Sequence, residues 1–129
     1  MKKFVWLGAL LVLSSLLPAA PKEKPGSYEK KDTAYAVGDT VYVTASRAQA
    51  EQEALKNAID KMAELLQKKG LGSKRDIALG VENSVTKETD LKAFKLGKAR
   101  IESVYQERWE APEGKEAWSV RVKISVRLR

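Results

Sequence analysis

The clearest pattern in the chain is an apolar stripe with helical spacing between residues 47 and 69. The stripe consists of Ala48, Leu55, Ile59, Met62 and Leu66, and charged side chains fill the opposite face. Ser46 and Gln49 are spaced as a capping box at its start, and Gly70 offers a left-handed stop at its end. The pattern predicts an amphipathic helix over residues 47–69, with its apolar stripe in the core.

The C-terminal pattern is the alternation of a β-hairpin. Apolar residues occupy every second position of the last arm: Trp118, Val120, Val122, Ile124, Val126 and Leu128. Ile101, Tyr105 and Trp109 mark the preceding arm, and residues 112–115 have turn chemistry. Pairing Trp109 with Trp118 places Tyr105 opposite Val122, so the hairpin is predicted to bury all these aromatic rings against the helix.

The remaining strand and helix signals are weaker. Residues 33–37 and 40–44 are β-prone, and form either a hairpin or, as favoured here, one strand kinked at Gly38 with Tyr35 and Val37 on its core face. Residues 76–82 are β-compatible, and a short helix is expected within residues 86–94. The predicted fold class is therefore α+β: one long amphipathic helix packed on a small antiparallel sheet of three to four strands.

The first residues have the layout of a secretory signal peptide. Lys2 and Lys3 precede an apolar run over residues 4–17, and small residues follow up to Ala20. As a helix the run would span roughly 21 Å at 1.5 Å per residue, short of the ~30 Å hydrocarbon core that a membrane anchor must cross. We expect a signal peptide over residues 1–19, a flexible charged tether over 20–32 and a single domain over 33–129; the alternatives are a retained anchor and an ordinary disordered N-terminus.

Composition removes several kinds of chemistry. The chain has no cysteine and no histidine, which excludes disulfides, a lipid-modified cysteine and Ser–His or Cys–His nucleophilic pairs. A zinc or transition-metal site is not expected either, so the prediction is a non-enzymatic protein without a cofactor. The net charge of +7 indicates either an anionic partner or simple solubility.

The candidate binding site is a row of cations on the outward face of the last strand. It consists of Arg121, Lys123, Arg127 and Arg129. Such a row can bind an anionic membrane surface or polymer, and its structural alternative is a solvated face or a charged edge that prevents aggregation. Nucleic acid is less favoured, because the aromatic residues are predicted on the core face instead.

Two segments resemble a known family. Residues 41–59 combine a strand with a helix of the form small–Arg–Ala–x–Ala–x–x–x–Ala, and the hairpin ends with the pattern Trp109, Gly114, Trp118, Val120 and Val122. These features resemble the LPP-twenty family of small bacterial envelope lipoproteins and the N-terminal domain of the flagellar assembly T protein. The resemblance implies a helix on an antiparallel sheet, a periplasmic or outer-membrane location and no known catalysis. This chain lacks the lipidated cysteine of those lipoproteins, so it is not expected to be lipid-anchored.

These observations predict an exported, non-catalytic accessory protein of the cell envelope with a structural or assembly role. A protein partner in the envelope is expected, and a homo-oligomer through a sheet edge is possible. The alternative function is a binding module for lipid head groups, glycans or nucleic acid through the basic strand face.

Overall fold

In the part of the chain that the structure describes, a five-stranded antiparallel sheet has two helices on one face. The computed structural model describes residues 24–40, 46–110 and 116–128. The elements are β1 (Gly26–Lys30), β2 (Thr33–Asp39), α1 (Arg47–Lys68), α2 (Lys74–Lys87), β3 (Asp90–Leu91), a 3-10 turn (Lys92–Phe94), β4 (Leu96–Glu110) and β5 (Glu116–Arg127). The strand order across the sheet is β1-β2-β5-β4-β3. The α+β class is confirmed, whereas the expectation of one helix and three to four strands is wrong.

Helix α1 matches its prediction in position and differs in which residues it buries. The Gln49 amide donates to Ser46 Oγ at 3.2 Å, so the predicted N-cap is present. The fully buried positions are mainly alanines, and they are Ala50, Ala54, Ala58, Met62, Ala63 and Leu66. Ala48 is exposed and Leu55 is half-buried. The side chains that α1 packs against the sheet are therefore smaller than predicted.

Small residues on β2 explain why alanines line the helix. Ala34 and Ala36 are fully buried beneath α1, and Gly38 follows on the same face. A Cβ atom added to Gly38 would lie 2.1 Å from the Ala58 backbone nitrogen, so the helix and strand backbones are in contact. The prediction that Tyr35 is on the core face is wrong, because the alternation of β2 puts the small residues beneath the helix.

Helix α2 replaces the strand predicted at residues 76–82. Ile77, Val81 and Ser84 are buried at helical spacing, and the Asp76 amide donates to Ser73 Oγ at 3.2 Å to cap the N-terminus. The helix packs on α1 and on the start of β4. The short helix expected within residues 86–94 is a 3-10 turn, Lys92–Phe94.

The C-terminal strands pair as predicted but in another register. Alternate β5 residues from Trp118 to Val126 are buried as expected. Trp109 lies opposite Ala117, and a β-bulge between Ile101 and Ser103 adds one residue to β4. Because a one-residue slip moves side chains to the other face, Tyr105 lies opposite Arg121 instead of in the core. The predicted turn at residues 112–115 lies outside the described residues.

The sheet includes residues that the sequence predicts to be part of the flexible tether. Residues 26–30, assigned to the flexible tether, form the edge strand β1 and pair with β2. Two contacts explain how a charged segment holds this position: Tyr28 stacks on Tyr35 at 5.1 Å between ring centroids, and Lys69 pairs with Glu29 at 3.0 Å. The predicted signal peptide and the β-prone residues 41–44 lie outside the described residues. Neither α1 nor α2 is both long enough and apolar enough to cross a membrane.

Candidate anion-binding site

The sheet has one face under the helices and one face without them, and the predicted cations lie on the latter. The outward positions of β5 include Arg121, Lys123 and Arg127, as the alternation predicted. Arg121 and Lys123 are half-buried, while Arg127 is exposed. Arg129 lies outside the described residues. Within the predicted row, Arg121 and Lys123 therefore interact with other groups of the protein, whereas Arg127 is exposed.

Lys123 is held by aromatic rings within the sheet. Its Nζ lies 4.8 Å from the centroid of the Tyr35 ring and 5.5 Å from that of Tyr28. The two rings stack on each other across β1 and β2, with 24° between their planes. An ammonium over a tyrosine face is stabilised by the ring quadrupole, so this cation has a structural partner before any ligand arrives.

Arg121 lies among polar neighbours in the centre of the same face. Its register partners are Asp39 on β2 and Tyr105 on β4, and the side chain interacts with other groups of the protein. Four residues further along β5, the Ser125 hydroxyl donates to Glu102 Oε2 at 2.5 Å. Acidic side chains on the flanking strands therefore offset the positive charge of the central face.

A group of exposed cations lies at the end of the sheet where β1 and β5 end and β4 begins. We call this group the basic end, and it comprises Lys30, Lys31, Arg100 and Arg127, all of which are exposed. The register places Lys30 opposite Thr33 and Thr33 opposite Arg127, while Arg100 pairs with Ser125 on the other side of β5. Asp32 in the β1–β2 turn offsets one of these charges.

Sequence reasoning found only Arg127 among these residues. The predicted tether over residues 20–32 includes Lys30 and Lys31. The prediction therefore places both lysines outside the sheet, whereas Lys30 is the last residue of β1. Arg100 adjoins Ile101, which the alternation puts on the core face, so its outward position follows from the sequence, whereas its place near Arg127 depends on the pairing of β4 with β5. A lysine pair directly before the β-prone segment that starts at Thr33 was the signal available in the sequence.

The described residues contain no cluster of metal-binding side chains. Within residues 24–40, 46–110 and 116–128, no three acidic side chains come together in a group that could hold a metal ion. The buried hydroxyl of Ser84 has a structural role: it donates to the Thr89 carbonyl and accepts from the Ala99 amide at 2.8 Å. What the arrangement can do is attract and hold negative charge at an exposed surface.

Comparison with known proteins adds no relative. No family model matches the sequence, no curated protein matches it, and no solved structure matches the fold significantly.

Proposed function

We propose that this chain is an exported, non-catalytic accessory protein of the bacterial cell envelope that binds an anionic partner through the basic end. The observation that carries the proposal is the convergence of exposed cations from three strands at one end of a sheet. Lys30, Lys31, Arg100 and Arg127 all project into solvent there. Clustered cations attract anionic surfaces and polymers, because their potentials add at the position of the anion.

The envelope location is supported by the sequence. Lys2 and Lys3, the apolar run and the small residues before Ala20 form a signal-peptide pattern, and the hairpin and helix motifs resemble the LPP-twenty family. We propose a periplasmic or outer-membrane-peripheral location without a lipid anchor, because the chain has no cysteine to modify.

The basic end is a better binding site than the centre of the outer face. Lys123 already lies over two rings, and Arg121 has an acidic register partner in Asp39. A ligand in the centre would have to displace these contacts. Arg100 and Arg127 are exposed, so they meet an anionic surface with little rearrangement.

Vesicle binding tests this function. The purified protein is titrated with vesicles of phosphatidylglycerol and phosphatidylcholine, with pure phosphatidylcholine as the neutral reference. A basic residue near an anionic membrane contributes about 1 kcal/mol, so the triple variant Lys30→Gln/Arg100→Gln/Arg127→Gln should bind roughly 100-fold more weakly. Raising the salt concentration should weaken the unmodified protein as well, since exposed charges are screened.

The matched control removes the same charge elsewhere. The variant Lys56→Gln/Lys61→Gln/Arg75→Gln changes cations on the helices and should bind less than about threefold more weakly, because the helices cover the opposite face of the sheet from Arg100 and Arg127. An equal loss in both variants would mean that only net charge matters and would contradict the assignment to the basic end. A heparin column run with the same variants shows whether an anionic polymer is preferred to a lipid surface.

A further inference from the structure

Among the described residues, β4 has one edge without a strand partner over most of its length, and we call it the open edge. It is 15 residues long and pairs with β5 from Ala99 to Glu110. Its other edge pairs with β3, which has only 2 residues and reaches Leu96 and Lys98. Within the part of the chain that the structure describes, residues 99–110 have no strand neighbour on that side.

Hydrogen-bond alternation identifies which backbone groups point to this edge. In β5 the Val120 carbonyl accepts from Thr40 at 3.1 Å, so even-numbered β5 residues bond toward β2 and odd-numbered ones toward β4. The β4 partners of odd-numbered β5 residues include Tyr105 and Glu107. The backbone N–H and C=O groups of Val104 and Gln106 must therefore point away from β5.

The same assignment holds before the bulge. The Ala99 amide points away from β5 and donates to Ser84 Oγ on α2 at 2.8 Å. By the alternation, the next residue on this side is Ile101. The open edge thus presents the backbone groups of Ile101, Val104 and Gln106 in sequence.

A cavity of about 380 Å³ adjoins the start of this edge. Its lining combines apolar and charged side chains, and the residues are Val85, Glu88, Lys98, Ala99, Arg100 and Ile101. Val85, Ala99 and Ile101 provide apolar surface, while Lys98 and Arg100 bring two cations against the single acid Glu88. An apolar side chain with acidic neighbours matches this lining in both polarity and charge.

We propose that an extended segment of a partner protein adds to the open edge of β4 as a further strand. The backbone groups of Ile101, Val104 and Gln106 bond to the incoming segment, and the cavity receives one of its apolar side chains. Acidic residues beside that side chain meet Lys98 and Arg100. Strand addition of this kind takes affinity from backbone hydrogen bonds and selectivity from pockets for alternate side chains.

A second copy of the chain fits this edge less well than an acidic segment does. The edge strands that a copy offers are β1 and β4, and their charges are balanced: Glu29 with Lys30 in β1, and three acidic with three basic residues in β4. Neither strand has the excess of acidic residues that Lys98 and Arg100 in the cavity would attract. The inference is separate from the proposed function, because backbone groups carry it and Arg100 is the only shared residue.

Amide hydrogen exchange by NMR tests the proposal without any substitution. The probe is a synthetic peptide of alternating valine and glutamate. In the free protein the amides of Val104 and Gln106 should exchange fast, while those of Tyr105 and Glu107 should be protected by β5. Saturating peptide should slow Val104 and Gln106 about tenfold or more and leave Tyr105 unchanged. Peptide binding that protects neither Val104 nor Gln106, or no peptide binding at all, would overturn the proposal.

Backbone-blocking variants provide the second arm. Val104→Pro removes an N–H on the open side, which an edge strand tolerates, and should weaken peptide binding about tenfold or more. Val104→Thr keeps the N–H and should change it less than about twofold. Gln106→Pro repeats the test one position along the same side, should the first proline unfold the domain. Equal affinity in the proline and threonine variants would refute the edge assignment.

Two further outcomes separate this proposal from its alternatives. One outcome is that sedimentation shows a dimer and that the Val104 and Gln106 amides are protected from exchange without peptide. A second copy then occupies the edge, and the partner-strand proposal fails. The triple variant of the basic end should still protect Val104 with peptide, because the backbone groups remain. If vesicle binding fails while peptide protection persists, only the proposed function is refuted; the converse refutes only the edge.

Discussion

The two faces of β2 are opposite in side-chain size. Under α1, β2 presents Ala34, Ala36 and Gly38, and α1 packs its own alanines against them. The other face of β2 carries Tyr35, whose ring lies beneath the Lys123 ammonium. The aromatic residue of this strand therefore does not mark the core, because only small residues fit where the α1 backbone touches β2, whereas β5 buries large side chains on the helix-covered face.

The difference also separates two kinds of stabilisation. The helix-facing side depends on close packing, in which a change of even one methylene is felt. The outer side depends on ring stacking and cation–π contacts, each about 0.5–1.5 kcal/mol. Substitutions on the two faces should therefore differ in size as well as in mechanism.

The largest effect is expected at Gly38. A valine there places its Cβ atom against the Ala58 nitrogen at 2.1 Å and the Ala54 carbonyl oxygen at 2.5 Å. Backbone atoms cannot turn aside as a side chain does, so we expect Gly38→Val to cost about 4 kcal/mol, above the usual range of overpacking. Urea denaturation measures this. Ser119→Val, on the outer face of β5, is the control and should stay within about 0.5 kcal/mol; equal effects would remove the distinction between the faces.

A smaller but still large effect is expected at Met62, which is fully buried between α1 and the sheet. Met62→Ala should lower the free energy of unfolding by about 2–5 kcal/mol, through lost burial and the cavity that remains. Leu55 is on the same helix but half-buried, and Leu55→Ala should cost only about 1 kcal/mol. Thermal and urea unfolding of both variants give the comparison, and a larger loss at Leu55 would mean that α1 is rotated from the orientation described above.

The smallest effect is expected at Lys123 on the outer face. Lys123→Gln removes the ammonium over Tyr35 and Tyr28 and should cost about 0.5–1 kcal/mol. The double variant with Tyr35→Leu isolates the interaction, because the Lys123 effect should disappear once the ring is gone. A Lys123 effect of unchanged size in the Tyr35→Leu background would show that the rings do not hold this cation.

The elements that the sequence predicts correctly are those whose apolar residues recur regularly over many positions. Helix α1 spans 22 residues with a cap at Ser46, and β5 alternates throughout its length, so local pattern and final structure agree. Helix α2 was missed because it buries only Ile77, Val81 and Ser84, a sparse stripe that short β-prone windows imitate.

The remaining errors have tertiary causes. The β4 register is shifted by one residue already at Trp109, which pairs with Ala117, and again by the extra residue at Glu102, and no local pattern announces either shift. None of the side chains of β1 is buried, and the strand is held in place by its neighbours in the sheet. Its composition therefore resembles that of a flexible tether. Sequence therefore predicts only those site residues that belong to a single regular strand. Arg127 was assigned to the correct face, whereas Lys30 and Arg100 join it through pairings between distant parts of the chain.

The position of β5 in the sheet has a consequence for the time at which the protein can fold. It is the last strand along the described chain, yet it is the third of five in the sheet, between β2 and β4. On a ribosome, β1 and β2 therefore emerge long before the strand that joins them to the rest. The central pairings of the sheet cannot form until β5 has been synthesised, and its closure spans most of the domain, which makes folding slow. Until then β1 and β2 form a two-stranded hairpin without the central strand, and such a hairpin is marginally stable by itself.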